Sequence, residues 1–214
     1  MNGGSVLGAP RATLLPMDAP VCLITGASSG IGEALALEHA RRGHHVVVLG
    51  RRLDKLEALA AKLSALGHGP GKKDKKEALA LACDVSVDGQ IEEAVRATLA
   101  RFGRLDLAIA NAGISIDGAF EQTTLAAQRQ VMETNYFGIL RTAYACFEPL
   151  RASKGGFAAV GSVSGFVCVP GFTAYTASKF AVRGFLGTLE VEWARHGIAV
   201  THIAPGFVVS EIRT

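Results

Sequence analysis

Thr25-Gly26-Ala27-Ser28-Ser29-Gly30-Ile31-Gly32 sets the topology expected of the whole chain. It follows the apolar run Val21-Cys22-Leu23-Ile24 and passes directly into a pattern with Ile31, Ala34, Leu35 and Glu38 at helical spacing. A strand that ends in glycines and turns at once into a helix brings free backbone N–H groups and the positive end of a helix dipole to one point. Glycines at positions 26, 30 and 32 remove the side chains that would hold an anionic group away from that backbone. Ser28 and Ser29 are placed to donate hydroxyl hydrogen bonds or to cap the helix. Alone, the segment also reads as a plain glycine-rich turn. Its place after the first strand of a βαβ unit favours a phosphate-binding loop, with GxxxGxG spacing in place of the commoner GxGxxG.

The same alternation continues along the chain. Apolar, β-branched runs predict strands at 21–24, 46–49, 78–83, 105–110, 157–160 and 198–203. Helical spacing predicts helices at 30–42, 54–66, 87–102, 124–150 and 174–195. Strand–helix alternation at this spacing requires crossover connections, and so an α/β fold of Rossmann type: a doubly wound parallel sheet with helices on both faces. Its ligand crevice then lies beyond the strand C-termini. One domain is expected over residues 19–214, with residues 1–18 a disordered N-terminal extension.

Composition narrows the function. Of 214 residues, 49% are apolar, enough for a substantial core. The formal charge of +3 is mild, and Lys72, Lys73, Lys75 and Lys76 sit in a Gly/Pro-containing segment without interleaved aromatics, a solvated loop rather than a nucleic-acid surface. Cys22, Cys83, Cys146 and Cys168 form no CxxC pair, and the six histidines lack ligand spacing, so no metal site is expected. No segment has the length of a membrane span and no signal-peptide core is evident, which makes the cytoplasm the expected compartment.

The second strand bears on the ligand. It ends Leu49-Gly50-Arg51-Arg52, with no carboxylate where a ribose 2′-hydroxyl would need one. A guanidinium binds a 2′-phosphate through paired hydrogen bonds, so NADP(H) is expected over NAD(H), held by Arg51 and Arg52; otherwise the two arginines only solvate a helix start. Further on, Tyr175-Thr176-Ala177-Ser178-Lys179 puts a phenol and an ammonium four apart, on one helix face about 6 Å along the axis. A tyrosine pKa of about 10 is too high for easy proton exchange near neutrality. A nearby ammonium stabilises the phenolate by at most about 4 kcal/mol at about 4 Å and an effective dielectric of about 20.

Together the GxxxGxG loop, Asn111-Ala112-Gly113, the serines of Val160-Gly161-Ser162-Val163-Ser164-Gly165, the YxxxK pair and Pro205-Gly206-Phe207-Val208-Val209-Ser210 resemble the short-chain dehydrogenase/reductase family over residues 20–214. The resemblance implies that Asp84 and Val85 border the adenine and that Asn111, Ala112 and Gly113 lie beside the cofactor. It implies that Ser162, with Ser164 as competitor, donates to the substrate oxygen, and that Asn135 holds a water linking the lysine to solvent. Pro205, Gly206, Val208 and Ser210 are then placed around the nicotinamide, Ser210 standing where threonine is usual. The implied reaction transfers hydride from NADPH to a ketone or aldehyde, or back from a secondary alcohol. In it Tyr175 is the acid/base, and Lys179 lowers its pKa and binds the nicotinamide ribose.

The apolar residues from Phe166 to Phe172 either line a pocket for a hydrophobic carbonyl substrate or simply pack as a loop, and the resemblance implies a homodimer or homotetramer through helices 124–150 and 174–195. Two departures stand out: the basic segment at 68–76 is long, and Glu211-Ile212-Arg213-Thr214 ends the sequence where a substrate lid and a last strand would follow. Either the chain is truncated, which is the expectation, or it lacks that lid and edge strand. The alternative function is a cofactor-binding regulator without turnover; a sugar-nucleotide epimerase would require a different glycine spacing.

Overall fold

A computed structural model describes residues 19–66, 77–208 and Ile212. The N-terminal segment 1–18, the basic segment 68–76 and Ser210 lie outside the described residues. Strand β1 (Val21–Thr25) and strand β2 (His45–Gly50) are almost wholly buried, as expected for central strands covered on both faces. Their side chains alternate: Val21, Leu23, Val47 and Leu49 enter one core cluster, whereas Cys22, Ile24, Val46 and Val48 enter another.

With β3 (Ala78–Ala82), β4 (Leu107–Ala110), β5 (Gly156–Val160) and β6 (Ala199–Ile203), they form one parallel sheet in the order β3-β2-β1-β4-β5-β6. The chain runs outward from β1 to β3, then returns to place β4 beside β1. The connections after β1 and β4 therefore leave in opposite directions and open a crevice at the strand C-termini. Helices α1 (Gly30–Arg41) and α2 (Leu53–Leu66) bury Ala36, Ala40, Leu56, Leu59 and Leu63 on one face. Helix α3 (Gln90–Phe102) joins α4 (Leu125–Met132), α5 (Gly138–Ser153) and α6 (Thr173–Ala194). From this group Val95, Leu150 and Val182 enter the other core, with Phe157–Trp193 edge contacts at 5.6 Å.

Three expected elements differ. The helix expected over 124–150 is two helices joined by a π turn at Glu133–Phe137, with Thr124 as N-cap accepting from Ala127 N at 3.1 Å. Helix α3 begins at Gln90, not 87, because Asp84 Oδ1 accepts from both the Ser86 N–H and its hydroxyl, at 2.9 and 2.6 Å, and closes a turn first. Strand β4 begins at Leu107, two residues late: the Asp106 carboxylate accepts from Val21 N at 2.8 Å and so replaces a ladder bond.

Among the described residues no helix is long and apolar enough to cross a membrane, and no group of three or more His, Cys, Asp or Glu could hold a metal ion.

Candidate active site

A cavity of about 740 Å³ runs along the C-terminal ends of the strands. Its lining follows the sheet order: Asp84 and Val85 after β3, Arg51 and Arg52 after β2, the glycine loop after β1. Asn111, Ala112 and Gly113 follow after β4, Ser162 after β5, and Pro205, Gly206 and Val208 after β6, with Tyr175 and Lys179 supplied by α6.

The glycine loop is shaped for a ligand backbone contact. Gly26 has φ +64°, and a Cβ there would lie 2.7 Å from Ala112 Cα, so only glycine fits. Asn111 lines the cavity and clamps the loop: its amide nitrogen donates to the carbonyls of Thr25 and Gly26, both at 3.0 Å. The buried Thr25 hydroxyl accepts from the N–H groups of Asn111 and Ala112 at 3.0 Å each, locking the ends of β1 and β4 together. Sequence reasoning missed this threonine; a hydroxyl closing a central apolar strand was the available signal.

Ser29 occupies the N-cap position of α1 but makes no capping bond, which corrects the capping alternative. Instead Arg52 donates to Ser28 Oγ at 2.8 and 3.1 Å and to Ser29 Oγ at 2.9 Å. The serine hydroxyls accept from the guanidinium and keep their own protons for a further acceptor. Arg51 is exposed at the cavity mouth, so of the two arginines it is Arg52 whose position the fold fixes.

The other half carries the titratable groups. Ser162 is extended at the start of a 3-10 turn, and its hydroxyl accepts from Ser164 N at 3.1 Å. Burial raises the Tyr175 phenol above its ordinary value, opposed in part by the Ser162 hydroxyl. Lys179 is 2% exposed. Its Nζ donates to Val160 O at 2.8 Å and lies 5.5 Å from the centre of the Tyr175 ring. Burial pushes the Lys179 ammonium down to about 8. Burial dominates at both groups, and the net displacement of Tyr175 is upward.

Asn135 sits in the π turn, fully buried. Its Oδ1 accepts from Ile114 N at 2.8 Å, and its Nδ2 donates to Ile114 O at 2.9 Å and to Ser178 Oγ at 3.0 Å. Ser178 in turn donates to Tyr175 O at 2.7 Å. Both polar atoms of the Asn135 side chain thus have protein partners. It ties the loop after β4 to the turn of α6 that carries Tyr175. Ser178, inside the YxxxK interval, was not singled out from the sequence. Val163 N donates to Pro205 O at 3.0 Å, joining the serine turn to the Pro-Gly segment, and Phe207 beside it is 98% exposed. Ser115 N donates to Ile212 O at 3.1 Å, bringing Ile212 over the cavity.

This arrangement defines a dinucleotide crevice with a hydroxyl–phenol–ammonium group at one end, and comparison with known proteins agrees. The family model for short chain dehydrogenase matches residues 20–214, and the chain belongs to that family of dehydrogenases and reductases. It is 36% identical over 189 residues to the bovine (Bos taurus) dehydrogenase/reductase SDR family member 7B, covering 88% of this chain and 58% of that protein. It is 37% identical over 195 residues to the human (Homo sapiens) dehydrogenase/reductase SDR family member 7, covering 90% of this chain and 56% of that protein. An 11-beta-hydroxysteroid dehydrogenase-like 4A of Arabidopsis thaliana is 35% identical, with 88% and 60% covered. The chain therefore spans less than two thirds of these curated relatives. Among solved structures, an alcohol dehydrogenase of Thermococcus sibiricus complexed with 5-hydroxy-NADP superposes with a TM-score of 0.81 at 29% identity, over 88% of this chain and 77% of that one. A short-chain dehydrogenase/reductase of Burkholderia phymatum in complex with NAD gives 0.84 at 25% identity, over 92% and 69%.

Proposed function

We propose that this chain interconverts a hydrophobic ketone or aldehyde and the corresponding alcohol, using NADP(H) in preference to NAD(H). The observation that carries the reading is that Ser162, Tyr175 and the buried Lys179 line one cavity together with the glycine loop and Arg52. The cradle suits a dinucleotide: Gly26 leaves backbone exposed, and the Ser28 and Ser29 protons stand free beside a fixed guanidinium. A bound nicotinamide cofactor supplies or accepts the hydride.

The residues of this chain manage the proton and the oxygen. Ser162 donates to the substrate oxygen and orients it towards the phenol. Tyr175, protonated at neutral pH, gives its proton to that oxygen as negative charge develops. Lys179 keeps most of its charge at neutral pH and favours the phenolate that remains. Asn135 and Ser178 hold the turn of α6 on which Tyr175 stands. Val163, Val167, Val169, Phe172 and Ile212 present apolar surface to the cavity, and relatives carry 11-beta-hydroxysteroid dehydrogenase-like descriptions; both support a hydrophobic substrate.

NADPH consumption, followed by nicotinamide absorbance against a panel of apolar ketones and aldehydes with NADH in parallel, tests the proposal. Tyr175→Phe is expected to lower turnover by about a hundred- to ten-thousandfold while NADPH binding persists. Turnover within a few-fold of the unaltered chain would sink the acid/base assignment.

The reading extends to a homo-oligomer, supported by exposed Leu125, Phe137, Tyr144, Phe180 and Val191 on and between α4, α5 and α6, and sedimentation mass tests it. It extends to a reducing, cytoplasmic compartment.

A further inference from the structure

Arg141 on α5 does not line the cavity, yet it bridges two segments that do. Its Nε donates to Asp88 Oδ1 and its NH2 nitrogen to Glu133 Oε1, both at 2.5 Å, and its NH1 nitrogen donates to Val85 O at 3.4 Å. Val85 and Asp88 belong to the loop after β3, whereas Glu133 opens the π turn. The first segment sends Asp84 and Val85 to the cavity and the second sends Thr134. The Arg141 side chain is only 20% exposed although its partner Asp88 is 89% exposed. A rigid fork of five donors engages two carboxylates and a carbonyl at once, which an ammonium on a flexible stem does not match.

Gly138 supplies a second, independent grip. It stands one turn earlier on the same face of α5, and a Cβ there would lie 2.7 Å from Val85 Cγ2. Helix α5 thus holds Val85 twice, by its side chain at Gly138 and by its carbonyl at Arg141. Isolated exposed ion pairs contribute little to stability. These pairs share one guanidinium and cross between segments, so their effect falls on the spacing of the cleft.

We propose that Arg141 is a positioning residue for the adenine side of the crevice, setting the separation of Val85 and Thr134 and through it the affinity for the cofactor. The inference rests on the dinucleotide reading above.

The test uses the full chain, unaltered and as Arg141→Met, Arg141→Lys and Asp88→Asn. Calorimetric titration is done with NADPH, with adenosine 2′,5′-bisphosphate for the adenine end, and with nicotinamide mononucleotide for the other end. Arg141→Met is expected to weaken NADPH and the bisphosphate by about five- to tenfold and leave the mononucleotide unchanged. In turnover the KM for NADPH rises while kcat holds, and Arg141→Lys recovers part of the loss. Asp88→Asn changes an exposed side chain that the core does not need, and it is expected to give a smaller loss on the same two ligands; it decides the matter if Arg141→Met does not fold. Unchanged bisphosphate affinity in the folded variants overturns the inference, as does an equal loss on both fragments. Absence of NADPH binding by the unaltered chain overturns the cofactor reading itself, a separate outcome.

Discussion

Lys179→Met is expected to end turnover and yet stabilise the fold at neutral pH. The unaltered side chain is 2% exposed, with one hydrogen bond, from Nζ to Val160 O at 2.8 Å. Burial moves its pKa from the ordinary 10.5 to about 8, a gap that corresponds to about 3 kcal/mol. For a base depressed in this way the unfolded chain binds the proton more tightly. The folded state therefore carries the full cost below about pH 8 and recovers it as pH climbs towards 10.5.

Methionine fills much of the same space without the charge, but leaves the Val160 carbonyl without its donor, at a cost of about 1–2 kcal/mol. The net expectation is a gain of about 1–2 kcal/mol near pH 7 that shrinks steadily as pH rises. Urea unfolding of both chains at several pH values, followed by circular dichroism, reads the difference directly. A variant that is less stable at neutral pH, by an amount independent of pH, would show that the buried ammonium is fully compensated.

Arg52→Gln removes the guanidinium held by Ser28 and Ser29 and is expected to reduce the NADPH-over-NADH ratio of kcat/KM by about ten- to a hundredfold; an unchanged ratio would move the 2′-phosphate contact elsewhere. Gly161→Ala would put a Cβ 2.0 Å from His202 Nε2, whose ring also stacks on Phe166 at 5.7 Å, and overpacking there is expected to cost about 1–3 kcal/mol. Adding His202→Ser should recover part of that loss in thermal unfolding, and a double variant no better than Gly161→Ala alone would show that the strain lies outside the imidazole.

The sheet was legible because parallel crossovers leave few options once apolar runs and helical spacing alternate. Each strand expected from the sequence is found, and two of the boundaries that moved did so where a single carboxylate intervened. Asp84 spends an oxygen on Ser86 and delays α3, and Asp106 takes the Val21 N–H and shortens β4. Such local competition is invisible to a periodicity that counts only apolar residues. The π turn at Glu133–Phe137 was hidden for a related reason: one extra residue in a helical turn barely disturbs the apolar spacing on either side, yet it turns Asn135 inward to Ile114 and Ser178. Arg51 and Arg52 are equivalent as letters; only the neighbouring serine hydroxyls distinguish them.

The tyrosine–lysine pair shows where counting charges goes wrong. Spacing alone rewards the attraction between phenolate and ammonium and omits the cost of taking both from water. In the folded chain that cost dominates, raising Tyr175 and lowering Lys179. The resulting state at neutral pH, a protonated phenol beside a mostly charged lysine, is a proton donor. It is ready to deliver a proton to an alkoxide, whereas accepting one from an alcohol requires the phenolate first. Under the proposed carbonyl–alcohol chemistry, alcohol oxidation is expected to gain as pH rises, since each step upward converts more of the donor into the base that this direction needs.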